Sequence, residues 1–235
     1  MRVNSRHRGR AAGALALAAA VGLCASSAAS ASITATRAPR TPSATESITG
    51  AERFVDRATA LVKAMPVGEQ ASTVVMGHMA GTDPGALRAY MESGLGGFIL
   101  MGANIPASED ELQALTVALT VDPTLPPLIA VDQEGGLVSR LNGDDHAAST
   151  SLKGLPVSET SAAFAARGSL AARAGITVNF GTVADYTADP GSFIHGRALG
   201  TDPVGAAERV AAATGAQEQF LASTLKHFPG HGAAP

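Results

Sequence analysis

Leu128-Ile-Ala-Val-Asp-Gln-Glu-Gly-Gly136 sets an unbroken apolar run against two carboxylates and a pair of glycines. The run has two β-branched residues, Ile129 and Val131, and no polar alternation, which is the pattern of a strand buried on both faces, as in parallel sheets. The charges begin where the strand must end. Asp132 and Glu134 therefore stand at the carboxyl end of a buried strand, where a charge left without a partner is costly. Either these acids bind something polar, or they cap the next helix or pair with Arg140. Gly135 and Gly136 allow positive φ or close backbone approach.

Working outward, similar short runs lie at 72–77, 97–101, 177–180 and 224–227. Segments of helical period lie at 51–65, 84–93, 108–119, 159–174 and 203–221. Three of the helices start on recognisable caps: Asp83-Pro84, Ser108 with Glu111 three residues on, and Asp202-Pro203. Strands alternating with helices predict parallel βα units. The segments that come after strands, 132–136, 185–200 and 229–232, hold far more functional groups than those that come after helices. In parallel α/β folds that edge carries the active site. A closed (β/α)8 barrel needs eight strands and about 250 residues. Here residues 51–235 supply five, so the expected fold is α/β, a partial (β/α)8 TIM barrel with about five of its eight βα units.

With 46% hydrophobic and 16% charged residues in 235, the chain is neither disordered nor a nucleic-acid coat. Residues 1–40 hold six of the 17 basic residues and none of the 20 acidic ones, leaving 11 basic against 20 acidic, net −9, in residues 41–235. Such an acidic domain is a poor partner for nucleic acid or anionic lipid. Arg2, Arg6, Arg8 and Arg10 precede the apolar run 11–23 and then a small-residue stretch containing Ala29-Ser-Ala31. That order reads as a secretory signal peptide over 1–31, too short in its apolar part to span a membrane. Cleavage after Ala31 would remove Cys24, the single cysteine, and with it any disulfide. Lipidation at Cys24 is disfavoured by the bulky Leu23 before it. Residues 32–50, rich in Thr, Ser, Ala and Pro, read as a flexible linker, and 51–235 as the folded domain.

Two more segments carry candidate chemistry. Leu225-Lys-His-Phe-Pro-Gly-His-Gly232 ends a strand on Lys226 and His227, which between them donate enough hydrogen bonds to hold several hydroxyls. Pro229-Gly230 between His227 and His231 rules out a helical metal pair, so no metal is expected. The loop 184–197 holds Asp185, Asp189, His195 and Arg197; it is either a binding loop or an Asp-Pro-Gly turn with an exposed arginine. No Gly-x-Ser-x-Gly, phosphate-cradling or dinucleotide motif occurs, and no cofactor is implied. His78 and His146 read as solvated loop residues.

Taken together, Ile129-Ala-Val-Asp-Gln-Glu-Gly-Gly-x-Val-x-Arg140, Asn179-Phe-x-x-Val-Ala-Asp185 and Lys226-His-Phe-Pro-Gly-His-Gly232 resemble the N-terminal barrel of glycoside hydrolase family 3. More narrowly they resemble its bacterial β-N-acetylhexosaminidase branch. The resemblance implies that Asp132, Arg140, Arg197, Lys226 and His227 hold the terminal sugar of a small carbohydrate substrate. It implies retaining hydrolysis through an aspartate nucleophile and a separate acid/base, both expected beyond Pro235, so that none of the catalytic pair falls in these residues. The implied activity is exo-acting removal of terminal β-linked N-acetylglucosamine from peptidoglycan or chitin-type oligosaccharides outside the cell. A β-glucosidase-like member, or a non-catalytic saccharide-binding fragment, is the alternative. Leu137 and Ala198-Leu199 depart from the family pattern, which often has Arg and Ser-Phe there. Five units of an eight-unit barrel should leave strand edges and apolar faces uncovered, and an insoluble, molten or self-associating fragment is the expected consequence.

Overall fold

The computed structural model describes residues 44–231, with side chains from Arg53 onward. The segment 1–31 read as a signal peptide lies outside the described residues. The chain divides between Ala51 and Glu52, and the sheet and its helices belong to the second unit.

Helix α1 (Ala44–Ala64) begins inside the stretch 32–50 read as linker. Next along the chain are α2 (Val67–Thr73), β1 (Met76–Gly77), α3 (Pro84–Met91), β2 (Gly97–Leu100), α4 (Glu109–Leu119) and β3 (Leu128–Val131). After them come α5 (Ser149–Leu152), α6 (Val157–Arg173), β4 (Val178–Val183), α7 (Pro203–Gln217) and β5 (Ala222–Lys226). The five strands form one parallel sheet in the order β1-β2-β3-β4-β5. Each strand lies beside its predecessor in sequence, as in the wall of an α/β barrel, whereas a doubly wound sheet reverses its order at a switch point. The α/β partial-barrel expectation holds.

All three expected caps form. Asp83 accepts from the Ala86 N–H at 2.8 Å, Asp202 accepts from Val204 and Gly205, and Ser108 and Glu111 close a reciprocal capping box. The core lies between the sheet and its helices: Leu87 and Met91 of α3 and Leu112, Leu115 and Leu119 of α4 pack on Phe98, Leu100, Ile129 and Val131. A second cluster joins α6 to α7 through Phe164, Leu199, Val210 and Ala213.

Several expectations need correction. The run 72–77 is not one strand: Ser72 and Thr73 end α2, which starts after Pro66, and only Met76 and Gly77 pair with β2. Val74 and Val75, whose apolar character suggested burial, are exposed. The strand expected at 177–180 runs on to Val183, and the one at 224–227 starts at Ala222, whose N–H donates to the Thr177 carbonyl. β5 is also not buried on both faces, since Leu225 is half exposed. Helix α7 stops at Gln217, short of 221, and the four-residue α5 had no signal in the sequence.

The pairing of β4 with β5 shifts register between Asn179 and Thr182. Gly181 lies at that shift, where a Cβ would collide with the Gln133 carbonyl and the Asn179 amide. Only glycine lets β4 pass so close to the segment after β3. Gly181→Ala should therefore cost about 3 kcal/mol, read as a lower urea midpoint at unchanged m.

Candidate functional site

The polar residues gather at the carboxyl ends of β3, β4 and β5. Beyond β3 the chain stays extended, so its side chains alternate. Asp132 and Glu134 face a cavity of about 510 Å3, while Gln133 points away into the loops behind it. Lys226, the last residue of β5, and His227 border the cavity from the other side. Arg197 enters from the loop after β4 and Arg140 from the loop after β3. All five residues expected to hold a ligand line this one cavity, together with Glu134, Phe180 and Thr224.

Glu134 is the hub. Its side chain is 1% exposed, and Arg197 grips it with two parallel hydrogen bonds, Nε to Oε2 at 2.8 Å and Nη2 to Oε1 at 2.7 Å. Lys226 Nζ lies 2.6 Å from the same Oε1 and donates to Asp132 Oδ1 at 2.7 Å. A buried carboxylate bound by a forked guanidinium and an ammonium is among the stronger charge-assisted arrangements. The hydrogen bonds to Glu134 raise the Arg197 pKa despite the opposing effect of burial, so Arg197 is a permanent cation.

His227 is held on both ring nitrogens. Nδ1 lies 2.7 Å from Asp185 Oδ2, and Nε2 lies 3.2 Å from Arg197 Nη2, which has only protons to offer. These partners suit the neutral tautomer with its proton on Nδ1. Asp185 also accepts from the backbone N–H of His227 at 3.0 Å and of His231 at 2.7 Å. Burial would raise the Asp185 pKa, but the hydrogen bonds from the His227 ring and from these two amides outweigh it and leave the pKa lowered. The His231 ring packs edge-on against His227, with centroids 4.5 Å apart, and against Phe193 at 4.6 Å.

Asp132 pairs with Lys226 and not with Arg140, so neither the helix-cap reading nor the Arg140-pair reading applies. Arg197 is not the exposed arginine of a turn, although Asp189 does close the Asp-Pro-Gly turn by accepting from Gly191 at 2.8 Å. His195 takes no part through its ring; its carbonyl accepts from Lys153 Nζ. His78 and His146 are exposed, as expected. Sequence reasoning missed the roles of Glu134 and Asp185. The i, i+2 spacing of Asp132 and Glu134 was the available signal for Glu134, because it puts both on one side of an extended chain. For Asp185 the clue was its place just past the end of β4.

The model of the glycosyl hydrolase family 3 N-terminal domain matches residues 84–235. The chain belongs to that family. Beta-hexosaminidase LpqI of Mycobacterium tuberculosis is 35% identical over 114 residues, 46% of this chain and 29% of that protein. An uncharacterized secreted glycosyl hydrolase of Arthroderma benhamiae is 33% identical over 183 residues, 73% of this chain and 52% of that one. Among solved structures, a glycoside hydrolase family 3 beta-N-acetylglucosaminidase from Paenibacillus sp. superposes with a TM-score of 0.64 at 27% identity, covering 72% of this chain and 34% of that one. The chain thus spans about half, or less, of the length of the relatives it matches.

Two outcomes test the family 3 cluster. Glu134→Gln leaves two cations facing a neutral amide and should cost about 3 kcal/mol in a denaturant titration. Asp185, whose pKa is lowered on folding, contributes stability that is fully present above the ordinary carboxylate value of 3.8 and is lost as pH falls through the lowered folded value. The stability gap between the wild type and Asp185→Asn should therefore be constant from pH 7 down to about 5 and shrink below about 4.

Proposed function

We propose that this chain is the sugar-holding part of an exported, retaining exo-β-N-acetylglucosaminidase acting on peptidoglycan or chitin-type oligosaccharides. The observation that carries the reading is the convergence of Asp132, Arg140, Arg197, Lys226 and His227 on one cavity, with the side chains of all but Arg140 oriented by protein partners. Pyranose hydroxyls are recognised by fixed donors and acceptors, and the cavity supplies both. Lys226 spends two contacts on Asp132 and Glu134 and has a third N–H for a hydroxyl. Asp132 keeps Oδ2 as an acceptor, and Arg197 keeps Nη1 as a donor. The resulting set of a carboxylate, an ammonium and a guanidinium suits bidentate contacts to adjacent ring hydroxyls.

The N-acetylglucosamine preference rests on the beta-hexosaminidase and beta-N-acetylglucosaminidase relatives, and export on the arginine-led apolar leader together with the relative named as secreted. On this reading the five residues position the sugar. The nucleophilic aspartate and the acid/base come from sequence beyond the Pro-Gly-His-Gly turn.

Calorimetric titration of N-acetylglucosamine into the 235-residue chain should give saturable binding that Lys226→Met weakens by about tenfold or more, the worth of a hydrogen bond to a charged group. Glucose bound as tightly as N-acetylglucosamine would transfer the reading to a glucoside-directed member of the family. Turnover of an aryl N-acetyl-β-glucosaminide by the chain would overturn the placement of the reacting pair.

A further inference from the structure

Gln133 lies between Asp132 and Glu134, yet its side chain does not line the cavity. It is fully buried, and its amide uses its whole hydrogen-bonding capacity. Nε2 donates to Ser139 Oγ and to Asp144 Oδ2, both at 2.7 Å. Oε1 accepts from the backbone N–H of Arg140 at 2.8 Å and of Leu141 at 2.9 Å. Asp144 is in turn fixed by Arg167, which donates from Nε at 2.8 Å and is itself fully buried. On the other side the Gln133 backbone is clamped by the Asn179 amide, whose Oδ1 accepts from the Gln133 N–H and whose Nδ2 donates to the Gln133 carbonyl, both at 3.0 Å.

Arg140 needs such a hold. Among the described residues it has no ion-pair partner, and its Nε is buried without a hydrogen bond. With no such partner for the side chain, what holds Arg140 is its backbone N–H, which donates to Oε1 of Gln133. Asp132, Glu134 and Arg140 come from one loop, whose two arms are joined by the Gln133 amide and by the Glu134 and Gly135 N–H bonds to the Val138 carbonyl; of these ties only the Gln133 amide bonds Arg140 itself.

We propose that Gln133 is a positioning residue that places Arg140 against the Asp132–Lys226–Glu134–Arg197 cluster. Its part in sugar binding rests on the function proposed above, but its hold on Arg140 does not. A side chain that only filled the core would be replaceable by methionine, which has similar volume and flexibility and makes none of the four hydrogen bonds.

The test uses the full 235-residue chain and has two readouts. In 15N NMR the Arg140 Nε–H resonance, assigned by its absence from Arg140→Lys, should shift or broaden in Gln133→Met; an unchanged resonance overturns the proposal. If Gln133→Met does not fold, Ser139→Ala removes one acceptor of the Gln133 amide, and the same resonance must move there. The second readout is a double-mutant cycle on N-acetylglucosamine affinity. Gln133→Met should weaken binding on the order of tenfold with Arg140 present and have no further effect in an Arg140→Ala background. Equal losses in both backgrounds would reduce Gln133 to a structural residue. A wild-type chain that binds no sugar, with an Arg140 resonance that still responds to Gln133, would sink the proposed function and leave the positioning role standing.

Discussion

The site depends on one buried carboxylate. Glu134 is almost wholly removed from water between Arg197 and Lys226, and desolvating an anion there is tolerable only because a guanidinium and an ammonium come with it. The pairing ties three chain segments together: the turn after β3, the loop after β4 and the end of β5. Arg197 then supplies the proton that His227 Nε2 accepts, and Lys226 supplies the one that Asp132 accepts. Arg197 and Lys226 thus bond Glu134 directly, and His227 and Asp132 reach it through them, whereas Arg140 stands outside the network.

Behind that layer a second one is built from amides. Gln133, Asn179, Gln217 and Thr182 are fully buried and joined in series: Asn179 donates to Gln217 Oε1, and Gln217 Nε2 donates to the Thr182 hydroxyl. The series crosses from the turn after β3, through β4, to helix α7. A buried amide left half-satisfied would cost free energy, while a saturated one specifies a single arrangement. Gly181 makes room for this layer, and Gly135, at φ +83°, makes room for Arg167, whose guanidinium occupies the space a Cβ would need.

Much of this was legible in the residues themselves. The runs at 97–101 and 128–131 declared their strands because apolar residues in unbroken series have little alternative in an α/β fold, and the Asp83, Ser108 and Asp202 caps declared three helix starts. The run at 72–77 misled because an apolar stretch says nothing about which partner covers it, and Val74 stays 84% and Val75 48% exposed. β5 was blurred by Ser223 and Thr224, tolerated because β5 is incompletely covered. At the site, residue types pointed to the carboxylates after β3 and to the Lys226-His227 pair, and the family resemblance to Asp132, Arg140, Arg197, Lys226 and His227, all of which line the cavity. They did not show that Asp132 would choose Lys226 over the nearer-in-sequence Arg140, since partner choice depends on the register of β5 against β4 and so on contacts remote in sequence.

The division of labour between the two kinds of interaction comes from their costs. Replacing a buried ion pair with apolar side chains of similar volume is often neutral or stabilising, so the Glu134 cluster is a poor candidate for what keeps the domain folded. That role falls to the apolar layer of α3, α4, β2 and β3 and to the α6–α7 contact, which surround the site and contain none of its residues. Because the two apolar clusters contain none of the charged groups, those groups are free to be placed for recognition. A ligand entering the cavity, a sugar on the proposed function, meets donors and acceptors that are mostly held by protein partners, and the entropic cost of ordering those was met on folding, not on binding. Among the described residues Arg140 is the cavity cation whose side chain has no ion-pair partner, and the hold on it is the bond from its backbone N–H to the Gln133 amide.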